Sequence, residues 1–134
     1  MKEFTVQIVT PDGEIFSGEA KSITVKTESG EVQIMRGHAN YLATLSTGVA
    51  KLVLNDGSER KAAASGGFIV VSDGEARVIA TTFEFADQID IDRAKLAKNE
   101  AEERLASAKD AKEIMIANAK LARAISRISA AESK

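Results

Sequence analysis

Five side chains are spaced so that they could together hold a charged small molecule. Glu84 sits near the end of an alternating apolar–polar segment, and Asp90 and Arg93 stand in the run Ile89-Asp90-Ile91-Asp92-Arg93-Ala94 that opens a helical stretch. Arg123 and Arg127 follow, four apart and therefore on one face of a second helix that folds back towards the first. Carboxylates accept hydrogen bonds from a nucleobase amino group or a ribose hydroxyl, while guanidinium groups take phosphate oxygens two at a time. The set suits a nucleotide. It equally suits ion pairs within a helical hairpin, worth under about 1 kcal/mol each, and spacing alone favours that simpler use.

Other chemistry finds little support. No Gly-x4-Gly-Lys-Ser/Thr loop is present, so phosphoryl transfer has no cradle. Ser65-Gly66-Gly67 lacks the flanks of a nucleophile elbow. His38 is the single histidine and stands in a turn, where one backbone contact is its expected role. There is no cysteine, which excludes disulfides, thiolate nucleophiles and thiolate-bound metals. A non-catalytic binding protein is the expectation, with no required cofactor and no metal.

Two kinds of element must position the five residues. From Phe4 to about Phe85 the chain alternates, as in Phe4-Thr5-Val6-Gln7-Ile8-Val9, and turn signals recur at Pro11-Asp12-Gly13, Asn55-Asp56-Gly57, Gly66-Gly67 and Asp73-Gly74. Strand-sized pieces with no helical interruption predict an antiparallel sandwich or barrel. After Asp87 the composition changes. Residues 91–134 contain neither Gly nor Pro and are rich in Ala, Lys and Glu.

The first helix is expected to start at Asp90 as its N-cap, with Ala94, Ala97, Ala101, Leu105 and Ala108 on one face and a break near Ser107–Asp110. In the second helix Ile114, Leu121 and Ile128 recur at spacing seven, with Ile125 offset and Asn118 on the same stripe. The predicted division is a β domain over 1–86 and a helical hairpin over 87–134. Its alanine-rich seam buries little area, so the hairpin is expected to be marginal alone and to have two arrangements.

Charge follows this division. Residues 1–86 carry eight Lys/Arg against eleven Asp/Glu, whereas residues 87–134 carry ten against nine. Lys120, Arg123 and Arg127 lie in an acid-free stretch over 116–131, which suits an acidic protein surface or phosphates. Aromatics are too few for stacking nucleobases, so nucleic acid is not an expected partner. No run of 18 apolar residues occurs, and the charged amino terminus has no signal-like segment, so a cytoplasmic chain is expected.

Four passages resemble the epsilon subunit family of bacterial F-type ATP synthases. They are Val9-Thr10-Pro11-Asp12-Gly13, Ser29 to Ala39 (Ser-Gly-Glu-Val-Gln-Ile-Met-Arg-Gly-His-Ala), Ser65-Gly66-Gly67-Phe68-Ile69-Val70-Val71 and Ile89-Asp90-x-x-Arg93-Ala94. They occur in family order over essentially the whole chain. The resemblance implies a sandwich of about ten antiparallel strands followed by a two-helix hairpin.

Implied partners are the gamma shaft, the c-ring and the alpha/beta catalytic head, at the cytoplasmic face of the bacterial membrane and peripheral to it. The hairpin is implied to inhibit ATP hydrolysis when extended. Around Glu31 and His38 the sandwich is implied to face the ring. ATP is implied as a regulatory ligand in some relatives, matching Glu84, Asp90, Arg93, Arg123 and Arg127 here. Three departures stand out: Glu100 replaces a family arginine and would repel phosphate, Gln33 replaces the usual glycine and Arg36 the usual proline. A free-standing ATP-sensing module is the alternative reading.

Overall fold

Ten strands form two five-stranded sheets in the computed structural model, which describes residues 3–132. One sheet contains β1 (Thr5–Thr10), β2 (Gly13–Glu19), β5 (Tyr41–Thr44), β8 (Phe68–Ser72) and β9 (Glu75–Ile79), in the order β2-β1-β9-β8-β5. The other contains β3 (Ser22–Thr27), β4 (Gly30–Met35), β6 (Gly48–Val53), β7 (Glu59–Ser65) and β10 (Thr82–Phe85), in the order β10-β7-β6-β3-β4. The expected antiparallel sandwich is present, with one exception in its pairing. β1 runs parallel to β9, which enters the same sheet as the second strand of a hairpin with β8.

The alternation read from the sequence is the burial pattern. Val6 and Ile8 on β1, Ile69 and Val71 on β8, and Ala76 and Val78 on β9 meet Ile23, Val25, Ile34, Leu52, Phe83 and Phe85 from the opposite sheet. The nineteen residues of this core end at Phe85, so none comes from the helices. The sandwich is self-sufficient in apolar burial.

Two turns depend on backbone freedom. Asp73 and Gly74 both adopt positive φ, 49° and 82°, as the tight hairpin between β8 and β9 requires. Gly67 has φ 89°, and a Cβ there would stand 1.8 Å from the carbonyl oxygen of Ile79. Only glycine lets these two backbone segments approach so closely.

A single 3₁₀ turn, Ala86–Gln88, leads out of the sandwich. It is tied back by Arg60 of β7, whose guanidinium lies 3.7 Å from the centroid of the Phe85 ring and 3.9 Å from the Asp87 carboxylate. Helix α1 (Ile91–Ser107) follows, with Asp90 as N-cap accepting from the Arg93 backbone N–H at 3.1 Å. Asp110 likewise accepts from the Glu113 N–H at 2.8 Å, while the Glu113 carboxylate reaches back to the Lys109 N–H at 2.7 Å. This reciprocal pair starts α2 (Ala111–Glu132).

Helix α2 lies between α1 and the outer face of β6 and β7. Its contact stripe differs from the isoleucine stripe expected. Ala117 and Ala124 are buried and Leu121 and Ile128 half-buried, whereas Ile114, Asn118 and Ile125 are exposed. Alanines take the centre because close helix approach leaves no room for branched side chains there. On the sheet side Ser126 and Ala130 are buried. β7 accommodates them with Ala63, which points away from the core formed by its neighbours Ala62 and Ala64. Among the described residues no helix is long and apolar enough to cross a membrane.

Candidate functional site

The end of β10, the 3₁₀ turn and the first turns of α1 enclose a cleft of about 780 Å³, within the usual range for a small-molecule site. Strand alternation aims Phe83 and Phe85 into the core, so Glu84 between them points outward into this cleft. Asp90 and Arg93 reach it because they occupy the N-cap and first turn of α1. Arg127 enters from α2 and donates its Nε–H to Glu84 Oε1 at 2.6 Å, an ion pair that is partly shielded from solvent.

Four of the five residues expected from the sequence therefore share one cleft: Glu84, Asp90, Arg93 and Arg127. Arg123 does not line it. One turn earlier on α2, it borders an adjoining cleft of about 170 Å³ between the two helices, with Arg104, Lys120, Glu100 and Arg127. Arg127 and Glu100 stand where the two spaces adjoin.

The two spaces are oppositely charged. The larger is lined by four carboxylates (Asp12, Glu84, Asp90, Glu100) and two guanidinium groups (Arg93, Arg127). The smaller has four cations (Arg104, Lys120, Arg123, Arg127) and the single carboxylate of Glu100. An acidic end that accepts hydrogen bonds, continuous with a basic end, matches a molecule with a polar donor-bearing head and an anionic tail. Part of this capacity is already engaged: Glu84 holds Arg127, and Asp90 caps its helix.

Sequence reasoning missed Thr10 and Asp12 from the first hairpin and Thr81, Thr82 and Gln88 near the last strand. Pro11-Asp12-Gly13 signalled a turn, but only closure of the sandwich brings that turn beside β10. Arg104 was also missed, since one arginine among α1's charges is not distinguishable by spacing. His38, by contrast, behaves as expected. Its Nδ1 lies 2.8 Å from the Ala39 carbonyl oxygen, and its ring packs edge-on against Tyr41 at 5.6 Å. Among the described residues no group of three or more acidic or histidine side chains is placed to hold a metal ion.

The chain is similar to known proteins over nearly all its length. Residues 3–86 match the model of the ATP synthase delta/epsilon chain β-sandwich domain, and residues 87–132 that of the long α-helix domain of the same chain. It is 40% identical to the ATP synthase epsilon chain of Bacillus cytotoxicus over 134 residues, covering all of both chains. It is 38% identical to that of Ruminococcus albus over 135 residues with the same coverage, and 37% identical to that of Bacillus pumilus over 131, covering 98% of each.

Among solved structures, a chain of the mitochondrial ATP synthase of Euglena gracilis superposes with a TM-score of 0.84 at 21% identity, over 97% of this chain and 81% of that one. A chain from the central stalk and c-ring of the Tetrahymena thermophila enzyme gives 0.68 at 16% identity, over 97% of each. At those identities the structures speak to the fold alone. Sandwich, hairpin and full-length similarity together place the chain in the delta/epsilon chain family of ATP synthases, as an epsilon chain.

Proposed function

We propose that this chain is a central-stalk subunit that couples the rotor shaft to the c-ring and inhibits ATP hydrolysis through its C-terminal helices. It is not an enzyme: it is a regulatory and structural part of an ion-translocating ATP synthase. In this reading residues 1–86 are the rotor-binding domain and residues 87–134 the mobile regulatory domain. Its partners are the gamma subunit, the c-ring and the alpha/beta catalytic head. Through them the chain sits peripherally at the cytoplasmic face of the bacterial membrane.

One observation carries the reading. The apolar core closes without a helical residue, while the hairpin rests outside it on alanine and serine contacts and a partly exposed ion pair. Such a hairpin can leave at small energetic cost. Its helices hold 17 and 22 residues, so at 1.5 Å per residue they would reach roughly 60 Å when extended end to end. Ile114, Met115, Ile116 and Ile125 are exposed in the docked state, apolar side chains that remain available to another partner. On the sandwich Met35, Leu42 and Phe68 are exposed likewise. Glu31 lies near the start of the edge strand β4 and His38 follows its end, and this edge is the side assigned to the ring.

ATP is the ligand assigned to the two adjoining spaces together, with Glu84 and Asp90 at the base and ribose and Arg93, Arg123 and Arg127 at the phosphates. A ligand at 100 times its Kd would favour the docked form by only about 2.7 kcal/mol. That is enough to bias a marginal hairpin. The volume of the cleft also favours a second reading, a free-standing ATP sensor. Calorimetry with ATP separates the two: micromolar binding lost in Arg93→Ala supports a sensor, whereas millimolar binding leaves control to the partner proteins.

The decisive experiment removes residues after Ala86. The truncated chain is expected to fold, to bind the rotor and to relieve inhibition of ATP hydrolysis in a reconstituted catalytic complex. Inhibition as strong as with the full chain would end the brake assignment.

A further inference from the structure

The face on which α2 rests mixes polar residues with apolar ones where a stable docking surface would be wholly apolar. Outward positions of the second sheet pair across its strands as Ser65 with Thr82 and as Val49, Ala63 and Glu84 in a row. Helix α2 lays Arg123, Ser126 and Arg127 over them, around a crevice of only about 10 Å³ that Thr47, Ser65 and Thr82 also border. Ser126 is 6% exposed, and its hydroxyl is buried without a hydrogen-bond partner. The nearby hydroxyls of Thr47 and Ser65 lie 3.2 Å from each other, within hydrogen-bonding distance.

A serine hydroxyl on an undocked helix is hydrated. Seated in this crevice, it gives up bulk water and gains no hydrogen bond from the protein, a loss that works against docking. The adjacent residue does the opposite, since Arg127 gains Glu84 only when the helix is seated. We infer that Ser126 is a built-in destabiliser of the docked hairpin, opposing the Glu84–Arg127 pair so that the helix is held and released near balance. An alanine here would keep the close approach and remove the penalty, making the docked state dominant. The regulatory consequence rests on the mobile-hairpin reading above, whereas the bias on docking does not.

Hydrogen exchange on the full-length chain tests this. Ser126→Ala raises helix propensity as well as removing the hydroxyl, so the reference is Asn118→Ala, at an exposed position of the same helix. Exchange of α2 amides is expected to slow in Ser126→Ala by on the order of tenfold more than in Asn118→Ala. Equal exchange in the two variants would overturn the inference.

Ala63→Leu, which fills the space beneath the helix, is expected to speed α2 exchange while the protection of β8 and β9 is kept. No change there would remove the docking geometry on which the inference stands. In the reconstituted complex Ser126→Ala should weaken inhibition of ATP hydrolysis. Slowed exchange with unaltered inhibition would uphold the role of Ser126 and overturn the brake.

Discussion

Arg127 on the last helix donates its Nε–H to the Glu84 carboxylate on the last strand at 2.6 Å, across 43 residues of chain. This joins the two parts of the molecule at the cleft, which both residues line. The pair is partly open to solvent, with side chains 31% and 39% exposed, so its contribution is that of a good surface ion pair and not of a buried one.

A double-mutant cycle measures that contribution. Glu84→Gln, Arg127→Ala and the combination should give a coupling of about 1 kcal/mol, read as roughly fivefold faster exchange of α2 amides in each single variant. The double variant should be little worse than either alone. Full additivity would mean that the pair does not hold the hairpin.

Glu100 stands where the acidic and basic spaces adjoin and carries the wrong sign for phosphate. Glu100→Arg should tighten ATP binding by about tenfold or more, since a repulsive neighbour becomes a charge-assisted donor. Calorimetry on the full-length chain reads this directly. Unchanged affinity would place the phosphates elsewhere.

In the turn between β6 and β7, the Ser58 hydroxyl donates to Asp56 Oδ1 at 2.6 Å and the Ser58 backbone N–H does so at 2.8 Å. These bonds, the hydroxyl's first, hold the Asp56 carboxyl below its ordinary value of 3.8. The folded value is depressed, so the stability gained is fully present above pH 3.8 and is lost as pH falls through the lower folded value. An NMR titration should show Asp56 moving back towards 3.8 in Ser58→Ala. An identical titration in both proteins would contradict the assignment.

Much of this molecule was legible in the residues. Period-two alternation from Phe4 to Phe85 specified the strands, because a sheet with one buried face needs an apolar residue at every second position. The cap at Asp90 and the break before Ala111 were equally local, since a side chain satisfies backbone groups three residues away. Glu84, Asp90, Arg93, Arg123 and Arg127 were grouped from the motif around Asp90 and the four-residue spacing of the last two arginines, and all but Arg123 line one cleft.

Tertiary structure decided the rest. β1 pairs in parallel with β9, about 70 positions later, which no short-range pattern encodes. Which face of α2 meets α1 was settled by how closely the helices approach, which favours Ala117 and Ala124 over the larger isoleucines. Arg123, one turn before Arg127, borders the space between the helices and the crevice over β7 and not the larger cleft of its expected companions. Periodicity assigns a residue to a face; only the packing of whole elements decides what that face meets.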